Sequence, residues 1–189
     1  MGDINLYHGD SSEILPTLED KSVDLILTDP LYDLTQEVKG WYHNQFLRLS
    51  RGGIIVFSPP ENPWILPAKQ YLFWVKPLST KNTSKSYSRF VEQIFIYENG
   101  TWNHDRHWSQ YTNVFTDIVD SAKLHPFRKP LSMLERLILN HSNISDIVLD
   151  PFCGIGSVGE VCKRLDRNYI GIEKEESYYK IGLKNLGIE

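Results

Sequence analysis

The sequence predicts an α/β domain built on a mostly parallel sheet with helices on both faces. Three observations carry that expectation. About seven short apolar runs recur along the chain, each of strand length. Most are separated by stretches whose apolar residues fall near helical spacing, as the crossovers of parallel strands require. Two of the runs, Val23-Asp24-Leu25-Ile26-Leu27 and Ile147-Val148-Leu149, lead directly into Asp-Pro dipeptides at Asp29-Pro30 and Asp150-Pro151. In open α/β sheets ligands bind outside the carboxyl ends of the strands, so both acids are candidate site residues.

The totals narrow the class. A chain of 189 residues fits one domain of ordinary size. At 41% hydrophobic and 23% charged it is neither disordered nor fibrous in composition. A formal net charge of -4 argues against a grip on nucleic acid through global charge, so any such contact must come from local patches. No apolar run reaches the roughly 18 residues of a membrane span. Met1-Gly2-Asp3-Ile4-Asn5 lacks the basic region and apolar core of a signal peptide. Cys153 and Cys162 have no metal-ligand spacing and fit a reducing cytoplasm. His104 and His107 have no cysteine or acid pair to complete a metal site, so none is expected.

In order, Ile4 to His8 is a short strand, and Asp10 or Ser11 caps a helix over Glu13 to Leu18, with Pro16 near its start. After a turn at Asp20-Lys21-Ser22 comes the strand that ends at Asp29. Val38, Trp41, Tyr42, Phe46 and Leu49 mark an amphipathic helix over Gln36 to Leu49. Arg51-Gly52-Gly53 is read as its stop, Ile54 to Phe57 as a buried strand, and Ser58 to Glu61 as a break that starts a short helix. Gln70 to Lys76 is the next strand. Val91 to Tyr97 follows it through a loop rather than a helix and is the candidate antiparallel strand. Glu98 to Leu124 has no clear period. Pro130 opens a helix over Leu131 to His141, Ile147 to Leu149 is a strand, Ser157 to Leu165 a helix, Tyr169 to Ile172 a strand, and Glu175 to Leu186 a closing helix.

Two stretches carry chemistry. In Thr28-Asp29-Pro30-Leu31-Tyr32 an acid, a rigid proline and an aromatic ring arrive together at a strand end. The acid can accept hydrogen bonds from an amine, and the ring can stack on a planar base. In Asp150-Pro151-Phe152-Cys153-Gly154-Ile155-Gly156-Ser157 the glycines let a ligand approach the backbone, and the helix after them favours negative groups. Glu173 ends the following strand, where an acid can bind ribose hydroxyls.

Together these stretches resemble the amino-group DNA methyltransferases, which act on adenine-N6 or cytosine-N4. His125-Pro126-Phe127-Arg128-Lys129-Pro130 resembles the family segment that precedes the cofactor loop, and Tyr169-Ile170-Gly171-Ile172-Glu173 its ribose strand. The catalytic stretch comes first and the cofactor stretch last, the circularly permuted order of the family's β group. The resemblance implies a single Rossmann-like domain over 1–189 with a seven-stranded sheet and one antiparallel strand. Its catalytic half would be 1–98, its short target-recognition segment 99–124 and its cofactor-binding half 125–189. It implies S-adenosylmethionine as cofactor and double-stranded DNA as partner. Asp29, Pro30 and Tyr32 would be catalytic: Asp29 and the Pro30 carbonyl accept the hydrogens of the target amine, and Tyr32 stacks on a flipped base. Asp10, Asp29, Lys129, Asp150, Phe152, Gly154, Gly156 and Glu173 would line the cofactor. For Asp10 a helix cap, and for Phe152 a core ring, stay open beside that role. Lys129 also reads as a solvated lysine at a helix start.

Leu31 departs from the family, which usually has a second proline there. The Asp before the first proline favours adenine over cytosine within the family. The other readings are cytosine-N4 methylation and, from Leu31, a catalytically silent nucleic-acid-binding subunit. Lys76, Lys81, Lys85 and Arg89 form a basic run, of which Lys81, Lys85 and Arg89 are the expected phosphate contacts, with Tyr87 and Phe90 near bases. A target segment limited to 99–124 predicts a short or degenerate target, or recognition shared with a second copy in a homodimer.

Overall fold

The protein is described here by a computed structural model covering residues 2–65, 67–76, 90–118 and 128–188, with Asn99 described in its backbone only. Among the described residues eight strands form one sheet: β1 (Ile4–His8), β2 (Val23–Thr28), β3 (Ser50–Ser58), β4 (Gln70–Val75), β5 (Val91–Asn99), β6 (Val114–Phe115), β7 (Ile147–Asp150) and β8 (Asn168–Glu173). Their order across the sheet is β1-β8-β7-β2-β3-β5-β4-β6. Only β5 runs against the rest, paired antiparallel to β3 on one side and β4 on the other, as expected. The expected count of seven is exceeded by β6, a two-residue ladder on β4 (Phe73 with Val114, Trp74 with Phe115) that is too short to show a period in sequence.

β2 and β7 lie side by side at the centre. Helix α2 (Gln36–Leu49) leads from β2 outward to β3, and α4 (Ser157–Arg164) leads from β7 outward to β8. The chain therefore winds in opposite directions from the β2–β7 pair, which makes their carboxyl ends the switch point. Alternation along β3 sorts the two cores. Ile54 and Val56 pack with Tyr42, Phe46 and Leu49 of α2. Ile55 and Phe57 face the side of α3 (Leu131–His141) and α4, with Met133, Leu137, Val158 and Val161. Thr35 caps α2 by accepting the Val38 amide hydrogen (3.3 Å). The last helix, α5 (Glu176–Leu186), ends on Gly187 in the left-handed conformation (φ 62°).

Local readings change at three places. The first helix, α1, spans Ser11–Ile14 and gives way to a 3-10 turn at Leu15–Thr17 rather than running from Glu13 to Leu18. Asp10 caps it early, so Pro16 falls too deep for an α-helix to continue through it. Arg51-Gly52-Gly53 is not a helix stop but the start of β3, already paired with β2 (Val23 with Ser50, Leu25 with Gly53). A Cβ on Gly52 would sit 2.0 Å from the Asp24 carbonyl oxygen, so this glycine serves strand contact, not a turn. Ser58 to Glu61 starts no helix. The Asn62 amide bonds the Pro59 carbonyl (3.3 Å) and the Ser58 hydroxyl accepts from the Trp64 amide (2.8 Å), closing a turn.

Because β5 is antiparallel, Asn99 ends beside Gly53 at the amino edge of the sheet. Residues 102–110 stay at that pole. Asn103 binds the Leu139 and Ser142 carbonyls (2.9 and 3.0 Å), and Trp102 packs on His141 with ring centroids 5.1 Å apart, at the far end of α3. The described part of the segment expected to recognise the target thus begins at the pole opposite Asp29 and Asp150. Among the described residues no helix is long and apolar enough to cross a membrane.

Candidate active site

The two Asp-Pro stretches meet. Thr28, the last residue of β2, donates its hydroxyl to Asp150 Oδ1 at 2.7 Å although the two are 122 positions apart. The Phe152 amide donates to the same oxygen at 3.2 Å. Asp150 is 4% exposed. Burial pushes its carboxyl up to about 7, against those two hydrogen bonds and with Asp29 and Glu173 adding to the rise.

Asp29 sits one residue beyond Thr28 in a cluster of buried charges. Lys129 Nζ lies 2.6 Å from Asp29 Oδ2 and 2.9 Å from Glu92 Oε2, and it donates to the Tyr32 hydroxyl at 3.2 Å. Glu92 is also paired with Lys76. The rings of Tyr32, Phe57 and Trp74 surround the ammonium at 5.7, 5.1 and 5.8 Å. Burial works against charge on Lys129, but Asp29, Glu92 and Tyr32 outweigh it and hold the ammonium well above its ordinary range. The carboxylates divide. Burial opposes ionisation of Glu92, yet two lysines bring it below its ordinary value. Asp29, with a share of one lysine and Glu92 repelling it, is raised by burial. Its Oδ1 is buried with no hydrogen-bond partner among the described residues. A buried acceptor without a donor is rare, and this one keeps unused capacity for a hydrogen bond.

The glycine loop lies on the other side of Asp150. Gly154 has φ +54°, and a Cβ there would meet nothing within 4 Å, so the loop is open on that side. Gly156 (φ +81°) caps α4 and packs against Leu186. Glu173 accepts from the Gly154 amide (2.8 Å) and the Glu175 amide (2.7 Å), one bond to each oxygen, which fixes its carboxylate beside the loop. Asp10 does cap α1, through Ser12 N (2.8 Å) and Ser12 Oγ (2.7 Å), and it pairs with Lys174 (2.9 Å). Those bonds hold its carboxyl down at about 2. Phe152 packs edge-on against Tyr42, ring centroids 5.0 Å apart, and is only partly buried.

The structure therefore brings Asp29, Pro30, Tyr32, Lys129, Asp150 and the Gly154 loop to one edge, with Glu173 and Asp10 on the adjoining strand ends. Two readings are corrected. Lys129 is not solvated: its side chain is 8% exposed and ion-paired. Lys76, from the basic run, is committed to Glu92 and also largely buried. Lys81, Lys85 and Arg89 lie outside the described residues. Glu92 went unnoticed in sequence, yet a signal was present. It shares strand parity with Ile94 and Ile96, which face the core, and an acid at such a position requires a buried partner.

Residues 53–184 match the family described as DNA methylase, of the N6/N4 type. The chain belongs to the DNA methylase family. Among its relatives, the type II methyltransferase M2.LlaDCHI of Lactococcus lactis subsp. cremoris is 26% identical over 96% of this chain and 88% of its own length. That alignment runs to 240 positions against a 189-residue chain, so the relative carries inserted residues that this methylase lacks. The DNA adenine methyltransferase YhdJ of Escherichia coli (strain K12) is 27% identical over 97% of this chain and 82% of its own. Among solved structures, M1.HpyAVI in complex with SAM superposes with a TM-score of 0.76 at 30% identity, covering 97% of this methylase and 100% of that chain.

Proposed function

We propose that this DNA methyltransferase transfers a methyl group from S-adenosylmethionine to the exocyclic N6 of adenine in double-stranded DNA. One observation carries the reading. Asp29 has one oxygen fixed by Lys129 and the other buried without a donor among the described residues, one residue from the Thr28–Asp150 hydrogen bond that ties β2 to the glycine loop. That is an acceptor prepared for an amine beside a site prepared for a cofactor.

The residues fit the cofactor in kind. The open side of Gly154 admits a ligand against the backbone. Glu173 retains lone pairs for ribose hydroxyls after its two amide bonds. Asp10, Lys129, Asp150, Phe152 and Gly156 complete the candidate lining, with Lys129 acting through Asp29. When bound, S-adenosylmethionine supplies an electrophilic methyl on a sulfonium. The protein's part is positioning. Asp29 Oδ1 and the Pro30 carbonyl accept the two amine hydrogens, which draws the nitrogen toward tetrahedral geometry and localises its lone pair for in-line attack. Burial-raised basicity lets Asp29 take the proton that the methylated nitrogen sheds. Tyr32, 37% exposed, offers its ring to the base. Flipping the base costs a few kcal/mol and stacking returns about 1–3 kcal/mol. Lys81, Lys85 and Arg89 are proposed to meet phosphates. Their flanking residues Lys76 and Phe90 are joined backbone to backbone (2.7 Å) at the carboxyl end of β4, on the Asp29 side of the sheet.

Adenine is favoured by Asp at position 29 and by the likeness to an adenine methyltransferase. Incubating the protein with duplex DNA and S-adenosylmethionine tritiated on the methyl, then separating the nucleosides, tests it. Label in N6-methyldeoxyadenosine is expected. Label in N4-methyldeoxycytidine, or none in DNA, refutes it.

A further inference from the structure

Leu31 stands beside Pro30 with 62% of its surface exposed, so it anchors the catalytic loop neither by a ring nor by packing. The loop is held from outside. The Asn62 side-chain amide donates to the Tyr32 carbonyl at 2.9 Å and to the Leu34 carbonyl at 3.1 Å, two carbonyls of one loop from one nitrogen. Asn62 is held in turn. Its Oδ1 accepts from Gln36 Nε2 at 3.1 Å, and the same nitrogen reaches the Pro63 carbonyl at 3.1 Å. From below, Lys39 places its ammonium on the Asn62 and Pro63 carbonyls at 2.8 and 3.1 Å. Lys39 is 1% exposed, and burial lowers its pKa. A buried lysine given to backbone carbonyls is a costly choice unless the turn it holds must not move. A brace thus runs from α2 through the 59–63 turn to the backbone of Tyr32.

We propose that Asn62 is a positioning residue for methyl transfer, fixing the Tyr32 backbone where residue 31 has no proline ring to do so. Proline at 31 would lock one φ angle directly. Asn62 constrains the same stretch by fixing the carbonyl of the next residue and that of Leu34. The two devices are therefore interchangeable, and their removal is coupled. The inference rests on the methyltransferase reading of Asp29 and Tyr32.

The test is a cycle of Asn62→Ala, Leu31→Pro and the double variant. Three quantities are followed: kcat for DNA methylation, S-adenosylmethionine affinity, and amide hydrogen exchange over residues 31–35. Asn62→Ala is expected to lower kcat by about 10- to 100-fold, the scale of a small misplacement in a reacting pair, with cofactor affinity kept and exchange at 31–35 accelerated. Leu31→Pro in the Asn62→Ala background is expected to recover most of both losses, and alone to match or exceed the wild type. An Asn62→Ala protein with undiminished kcat overturns the proposal, as does a loss that Leu31→Pro leaves unrepaired. If Asn62→Ala does not fold but the double variant folds and methylates, the brace is supported. If neither folds, Asn62 is a structural residue and the proposal fails. A wild type that methylates no DNA while the exchange coupling persists sinks the reading of function and leaves the brace standing.

Discussion

Asp29 is one of four charged side chains drawn together at the active edge, and its behaviour follows from how the two lysines are shared. Lys76 is committed to Glu92, while Lys129 divides itself between Glu92 and Asp29. Two substitutions should therefore move the acid limb of the pH–rate profile in opposite directions. Glu92→Gln removes a charge that raises the Asp29 pKa and leaves Lys129 to Asp29 alone, so the limb should shift to lower pH. Lys129→Met removes the main force holding Asp29 ionised, so the limb should shift to higher pH. Breaking that buried pairing should also cost roughly 3–5 kcal/mol of stability. Shifts of the same sign, read from kcat against pH, would show that the network does not tune Asp29. Asp29 itself was legible in sequence because an acid closing an apolar strand is a local signal. Lys129 was misread because its neighbours look like an exposed helix start. Its partners Asp29 and Tyr32 come from the other end of the chain, Tyr32 being 97 positions away.

At the scale of elements, α2 and α3 match their expected limits because an apolar period near helical spacing is sustained over about three turns or more. Where two signals compete, the tertiary partner decides. Gly52-Gly53 looks like a terminator, but β2 takes up the backbone as soon as α2 ends. Gly52→Ala should then be poorly tolerated, because the added Cβ would lie 2.0 Å from a carbonyl oxygen of the neighbouring central strand. A loss on the order of 2–4 kcal/mol in denaturant unfolding is expected, within the range of large single-site effects. A change below about 0.5 kcal/mol, the size of an ordinary surface substitution, would mean that β3 does not approach β2 this closely. β6 was illegible for the opposite reason. Two residues carry no period, and its place depends on the ladder to β4.

For the whole molecule, distance along the chain becomes adjacency at the switch point, and the two Asp-Pro stretches meet through Thr28 and Asp150. This meeting has a stability cost with a definite sign. The Asp150 carboxyl is raised from 3.8 to about 7 in the folded protein. The native state therefore binds the extra proton between those values, and stability from this group falls as pH rises through them. Asp150→Asn keeps an oxygen for Thr28 and Phe152 but carries no charge. Relative to wild type it should gain stability from about pH 4 to about pH 8, by on the order of 4 kcal/mol at most. A difference independent of pH in urea unfolding would contradict this. The same large view bears on specificity. Residues 102–110 lie at the pole away from Asp29, so only the later residues of the 99–124 segment are left to read base edges. A short or degenerate target, or one shared with a second copy, is expected. Sequencing of methylated sites that returns one long strict motif from a monomer would refute it.

The central claim is that the Asp29 carboxylate, held by Lys129 at Oδ2 and without a donor at Oδ1 among the described residues, receives the adenine amine. The most direct test is single-turnover methylation of duplex DNA by Asp29→Ala beside wild type, with S-adenosylmethionine affinity measured on both. Removal of one preorganised hydrogen-bonding group of this kind typically costs about 100-fold or more. A loss of that size in the rate of N6-methyldeoxyadenosine formation, with the cofactor still bound, is expected; an Asp29→Ala protein that methylates DNA at the wild-type rate would contradict the account.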